Sequence, residues 1–284
     1  MALWKIGLLG SVFALLFVAE RVSPLRAPKR TIFKRLCVNA AMTAAVFLVG
    51  SLLVRTTASR GIGVGASRGV GLCRWLPLPS WARAALSFCL MDLTFYYWHR
   101  ANHRIALLWR FHNVHHVDPD LDVSTSFRFH PVEIAYAALF RLAQVLVVGV
   151  TPLLYVAYET AFACGTMFHH SNVRLPFRFE YWLNMVFVTP RMHGIHHSAV
   201  RTETDSNYSV VFSWWDRLHR TVVLNVRQSD IRIGVPMYQQ PGDNGLCTLV
   251  KMPFIGQRRH CGGPDGMPPG GNQDAAYPSG RMLA

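Results

Sequence analysis

Long apolar runs dominate the chain, at 3–19, 36–54, 82–98, 132–149 and 152–168. A helix needs about 20 predominantly apolar residues to cross the hydrocarbon of a bilayer, so each run is read as a membrane segment. The first is followed by no small-x-small cleavage site, and the body of the chain is itself apolar, so it reads as a retained anchor and not as a signal peptide. The last two runs are separated by the turn signal "GVTP" and form a helical hairpin dipping into the bilayer. The polar stretch at 55–81 reads as a flexible loop between spans. The Gly- and Pro-rich tail from Pro241 onward has no periodicity and is expected to be disordered. The implied fold is all-α, a polytopic membrane helical bundle with a histidine-rich helical cap. Its expected parts are anchor spans and a loop at 1–81, a histidine-bearing domain at 82–225 and an extension at 226–284.

Composition strengthens this picture. The chain is 51% hydrophobic and only 15% charged, with a mean hydropathy of +0.21 and a net charge of +14. An apolar yet strongly basic chain points to basic cytoplasmic loops. Between the first two runs lie Arg21, Arg26, Lys29, Arg30, Lys34 and Arg35 with no acid among them. The positive-inside rule makes that loop cytoplasmic, and counting spans then puts His99, His130, His170 and His193–His197 on the same face. Nucleic acid is excluded as a partner, because no helix-turn-helix, finger or basic-zipper pattern is present and the arginines are scattered. Six cysteines without C-x-x-C spacing read as buried thiols in a reducing setting.

One glycine-rich word, "GIGVGASRGVG" from Gly61 to Gly71, imitates a dinucleotide-binding turn. Such a site needs a buried strand before it and a helix after it. "RTTASR" precedes it and "LCRWLPLP" follows, so the match is set aside.

The histidines are the strongest chemical signal. "HRANH" begins at His99, "HNVHH" at His112 and "HGIHH" at His193, so eight of thirteen histidines sit in three short words. On a helix, positions i, i+3 and i+4 share a face, and each H-x-x-H-H is expected to aim three imidazoles at one point. Eight imidazoles exceed the four that one tetrahedral zinc accepts and suit two metal ions. Imidazole binds iron, zinc, copper and nickel alike, so ligand type does not name the metal. His219 and His260, outside the words, read as bystanders.

These words stand in a wider pattern. "DLTFYYWHRANH", "LLWRFHNVHHVDPDLDVSTSFRFHPVEI", "FHHSNVRLP", "VTPRMHGIHHS", "TDSNYS" and "WWDRLHRT" together resemble the boxes of the fatty acid hydroxylase/sterol desaturase superfamily, over roughly residues 82–223. The resemblance implies an integral-membrane enzyme with two irons held by His99, His103, His112, His115, His116, His193, His196 and His197, and O2 as co-substrate. It makes His170 the best candidate for a ninth ligand and Asn172 a holder of metal-bound water. His169, adjacent, is expected to point elsewhere. His130 precedes a proline and is divided between capping a turn, supporting the site and binding metal. The reaction implied is hydroxylation or desaturation of an unactivated C–H position in a lipid such as a fatty acyl chain, a sterol or a related isoprenoid.

Carboxylates are expected to support the imidazoles, since a metal-bound histidine usually donates its second N–H to an acid or a carbonyl. Asp92 lies two helical turns before His99, and an acid inside a span is costly enough to imply a function. Asp122 is a second candidate. Asp118 and Asp120 are equally well read as a solvated loop, and Arg141 and Glu159 as a mutually satisfied pair. No dinucleotide fold, cluster motif or haem domain is evident, so electrons must come from a separate protein. The basic face, with Arg174, Arg178, Arg191, Arg201, Arg217 and Arg220, calls for an acidic donor of ferredoxin or cytochrome type. The main alternative is a zinc-dependent membrane lipid hydrolase, which needs three ligands and a general base such as the glutamate of H-E-x-x-H, a word this chain lacks. Metal transport or storage is a third reading, and it would place histidines along a pore or in a soluble tract.

Overall fold

The computed structural model describes residues 3–258, which are about 70% helical and contain no strand. The membrane portion starts with α1 (Leu3–Val22), α2 (Ile32–Val49) and α3 (Arg55–Arg68), the latter two joined by a π-helical turn at Gly50–Val54. A short α4 (Leu72–Trp75) leads into the 25-residue α5 (Ser80–Arg104) and then α6 (Ala106–His116). The hairpin follows as α7 (Pro131–Val148) and α8 (Pro152–His170). Shorter helices complete the cap: α9 (Phe177–Asn184), α10 (Pro190–His196), α11 (Arg201–Thr204), α12 (Trp214–Leu218) and α13 (Leu246–Lys251).

Three helical stretches are long and apolar enough to cross a membrane, Leu3–Val22, Ile32–Trp75 and Pro131–Val148. Two more were expected. α5 and α8 have the length, but Asp92 and His99 in one and Glu159, His169 and His170 in the other dilute their apolar character. Leu15, Leu48, Leu139 and Leu153, each at least 60% exposed, give α1, α2, α7 and α8 the outward apolar surface that a bilayer solvates.

The expected loop at 55–81 is corrected: most of it is α3, which continues the helix of α2 and packs along α7. The glycines explain the error. A Cβ at Gly61 would lie 2.7 Å from Leu142 and 2.8 Å from Val145, so its absence lets the two backbones approach, as small residues do between membrane helices. The turn between α7 and α8 is built as the sequence suggests. Gly149 caps α7 with φ +79° and Thr151 caps α8 by accepting the Leu154 N–H, with Pro152 in the first turn.

The tail expectation is also corrected in part. Residues 241–254 form short helical turns, and Leu249 and Met252 are buried against Val114 and Val117 beside the second histidine word. The rest of the predicted disorder, with His260, lies outside the described residues.

Buried ion pairs tie the spans to the cap. Arg35 of α2 meets Asp118 at 2.9 Å and Asp122 at 2.8 Å, and Arg128 meets Asp118 at 3.0 Å. Burial opposes ionisation of Asp118, but Arg35 and Arg128 outweigh it and hold its carboxyl at about 2. Asp118 and Asp120 are therefore not a solvated loop. Asp120 accepts the backbone N–H groups of Lys29 and Arg30. Arg141 and Glu159 form the expected pair, at 2.9 Å.

The α3–α7 contact predicts opposite outcomes at two neighbouring glycines. Gly61→Ala should destabilise the protein by about 1–3 kcal/mol through overpacking. Gly63→Ala, whose Cβ meets nothing within 4 Å, should stabilise it by about 0.5–1 kcal/mol through helix propensity. Thermal unfolding in detergent reads both.

Candidate metal centre

α6 and α10 carry the two H-x-x-H-H words, the C-terminal end of α5 carries His99 and His103, and α8 ends at His170. Packing of these four ends brings nine imidazoles together in two groups. His99, His103, His112, His116 and His196 form one, and His115, His170, His193 and His197 form the other, with the ligand nitrogens of each group all within 4.8 Å of one another. All but His103 are buried. The groups share a wall, where His116 of the first stacks on His197 of the second with centroids 4.3 Å apart.

The expectation that each word aims all three imidazoles at one point is corrected. His112 and His116 face the first group while His115 faces the second, and His196 faces the first while His193 and His197 face the second. Each word straddles both groups because successive helical positions diverge by about 100°, and the neighbouring group lies close enough to accept the odd member.

The nitrogens are arranged for cations. His99 Nδ1 donates to Tyr208 O at 2.7 Å, His196 Nδ1 to Ser206 O at 2.7 Å, His170 Nδ1 to Thr166 O at 2.8 Å and His112 Nδ1 to the Glu133 carboxylate at 2.8 Å. Those bonds leave each Nε2 as a lone pair aimed inward. The Nε2 atoms of His103, His112, His116 and His196 are buried without a partner. In the second group, Nε2 atoms face each other at 3.0 Å (His170–His115), 3.0 Å (His193–His170) and 3.1 Å (His197–His193). Nitrogens bound at right angles to one ion, at about 2.1 Å each, would lie about 3.0 Å apart. Burial first, then neighbouring imidazoles, hold His115, His116, His193, His196 and His197 well below the usual imidazole range. They are neutral at pH 7, the form that binds metal. The residues therefore fit two metal ions.

The supporting groups differ from those expected. Asp92 touches no imidazole. It accepts from Val211 N, Phe212 N and Trp215 Nε1, and so fastens the segment whose Tyr208 carbonyl orients His99. Asp122 pairs with Arg35 and caps the turn that follows it. Asn172 joins neither group, because its Oδ1 accepts Arg26 N–H and its Nδ2 donates to Arg26 O. His130 is an N-cap: its Nδ1 accepts Val132 N–H and its Nε2 lies 3.1 Å from Val250 O, so both nitrogens are used away from the groups. His169 lies outside the groups with Nδ1 on Val210 O, although its ring sits 4.1 Å from that of His193. His219 stacks on Tyr96 and bonds Tyr97. Glu133 was missed. Its only trace in the sequence is an acid in the first turn of an apolar helix, where helix-end electrostatics would place one anyway. The carbonyls of Thr166, Ser206 and Tyr208 leave no trace at all.

A recess of about 190 Å³, lined by Arg104, Trp109, Arg201 and Asp205 among others, touches the first group at His103.

Comparison with known proteins agrees with the geometry. The fatty acid hydroxylase family model matches residues 84–221, the stretch that holds all nine imidazoles. Residues 84–221 belong to the fatty acid hydroxylase/sterol desaturase superfamily. The chain is 32% identical to an ornithine lipid hydroxylase, OlsE of Rhizobium tropici, over 54% of this chain and 45% of the relative. It is 24% identical to the alkylglycerol monooxygenase of Homo sapiens, over 48% and 29%. It is 29% identical to the very-long-chain aldehyde decarbonylase GL1-8 of Oryza sativa subsp. indica, over 54% and 58%. The match thus spans less than two thirds of each relative's length. No solved structure matches the chain.

Division of the words between two groups predicts paired effects on metal content. His116→Ala and His197→Ala, one from each group, should each lower bound metal from about two ions per chain towards one. Elemental analysis of protein purified from iron-replete cells reads this. Glu133→Gln should weaken retention against a chelator by about tenfold.

Proposed function

We propose that the chain is a membrane-bound di-iron oxygenase that hydroxylates or desaturates an unactivated C–H position of a lipid. The observation that carries this reading is the pair of adjacent groups of largely buried imidazoles, whose ligand nitrogens lie within 4.8 Å of one another in each group. When bound, iron supplies with O2 an oxidising power towards alkane carbon that no acid, base or nucleophile of the chain possesses. The chain's own part is to hold the imidazole tautomers with Glu133 and three carbonyls, to keep bulk water out by burial, and to present the site beside helices that enter a bilayer. Two relatives whose names specify a lipid hydroxylase and an alkylglycerol monooxygenase favour insertion of oxygen over desaturation.

The zinc hydrolase reading is weaker. It requires a carboxylate beside the metal as general base. Among the described residues, the carboxylate bonded to a clustered imidazole is Glu133, and it holds the Nδ1 of His112, on the far side from the inward Nε2.

Lipid extracts from cells with and without the gene test the reaction. The expected product is heavier by one oxygen atom, or lighter by two hydrogens, than its precursor. Its absence in cells that accumulate the protein would refute the oxygenase, and His196→Ala should abolish it while membrane insertion persists.

Electrons are supplied, in this reading, by a separate acidic protein of ferredoxin or cytochrome type. Arg104, Arg201 and Arg220 are exposed on the cap, the first two at the recess leading to His103. Arg191 and Arg217, expected in this surface, are instead engaged by Glu180 and Asn184. Turnover at fixed donor should fall by about an order of magnitude as salt rises from about 0.05 to 0.5 M. A flat response, or full activity with NADPH alone, would rule the donor out.

A further inference from the structure

A second cavity, of about 900 Å³, is lined by the α1–α2 connection, the 119–122 turn, Asn172, Arg174 and residues 227–233. Its charge is lopsided, with eight Lys and Arg side chains and three carboxylates. The acids are already engaged: Glu20 by Arg21 and two backbone N–H groups, Asp122 by Arg35, and Asp120 by the Lys29 and Arg30 N–H groups. Arg26 has no acid in direct contact. Its Nη1 bonds Gln228 Oε1 at 2.6 Å and Pro190 O at 3.4 Å, both neutral, while Nε and Nη2 are buried without a partner. Buried donors without protein acceptors are satisfied by a bound acceptor, an ordered water or a ligand. Burial lowers the Arg26 guanidinium to about 10, so it stays charged at pH 7.

Position identifies the source of the anion. α1 and α2 both qualify as membrane spans, so the loop between Val22 and Ile32 lies at the level where they leave the bilayer. α9 marks the same level independently. Phe177, Phe179, Tyr181 and Trp182 are 53–70% exposed on it, as in the aromatic belt at a membrane–water boundary. Glu180 of α9 pairs with Arg191 of the cavity wall at 2.7 Å.

We propose that this cavity binds the anionic headgroup of a membrane lipid, through a phosphate or carboxylate, with Arg26 as its principal ligand and Lys29 and Arg227 at its rim. Arg26 presses against the third histidine word, where a Cβ on Gly194 would collide with its guanidinium. A lipid held here therefore lies beside the metal-binding helix. The inference goes beyond the oxygenase reading and is tested by binding alone, so failure of either leaves the other standing.

The test uses full-length protein in nanodiscs of dioleoyl phosphatidylcholine doped with dioleoyl phosphatidylglycerol, with the retained lipid read by native mass spectrometry. Phosphatidylglycerol should be enriched about tenfold over its share of the bilayer. Arg26→Gln should remove most of that enrichment and Arg26→Lys should keep part of it. The double variant Lys29→Gln/Arg227→Gln, at exposed positions, should lower it severalfold and carries the test if Arg26→Gln does not fold. No enrichment in the wild type, or enrichment unchanged in these variants, would overturn the proposal. Release of the lipid by millimolar inorganic phosphate would also overturn it, by making the site one for a soluble anion.

Discussion

Nine imidazole nitrogens converge in a space that water barely reaches, and the cap of this protein is organised around that convergence. Nε2 atoms about 3 Å apart share few hydrogens between them, so burying them together is costly, and a cation is the partner that such nitrogens accept. Four of the nine rings are held from behind. Tyr208, Ser206 and Thr166 offer carbonyls, and Glu133 a carboxylate, to the outer nitrogens. Each of these contacts fixes a tautomer as well as an orientation.

Those supports are themselves held by longer-range interactions. The Tyr208 carbonyl belongs to a segment gripped by two buried acids, Asp92 from α5 and Asp216 from α12. The loop after the second histidine word is fixed to α2 by Arg35. The membrane helices thus act on the metal groups through charged links that cross from span to cap. Removing one partner of such a link leaves an uncompensated buried charge, which costs about 3–5 kcal/mol. The geometry of the site and the docking of the spans are one problem in this fold.

The two halves of the molecule relate differently to known proteins. The stretch matched by the family model begins inside α5 and contains every clustered imidazole. α1 to α4 and their connections, which supply Arg26, Lys29 and Arg35, lie outside it. The clustered imidazoles thus lie within the matched stretch, while most residues that line the second cavity lie outside it.

Much of this was legible in one dimension because its physical cause is local. Apolar runs of bilayer length reveal spans, and i, i+3, i+4 histidines reveal a candidate metal-binding face before any packing is known. The Pro131 and Pro152 helix starts, the Gly149 cap and the Arg141–Glu159 pair are likewise local or nearly so. Other features depend on what a residue meets across the fold. Gly61 reads as a loop former until α7 is placed against it. Asp92 has the spacing to serve His99 directly, yet the Val211 and Phe212 N–H groups and the Trp215 indole reach it first. Asn172 is drawn away by Arg26, 146 positions distant in the chain. Glu133 becomes a ligand support only when α7 lies beside α6. The division of each histidine word between two groups is the largest of these decisions. A helix determines which side chains share a face, but only the positions of the other helices determine how many ions that face will meet.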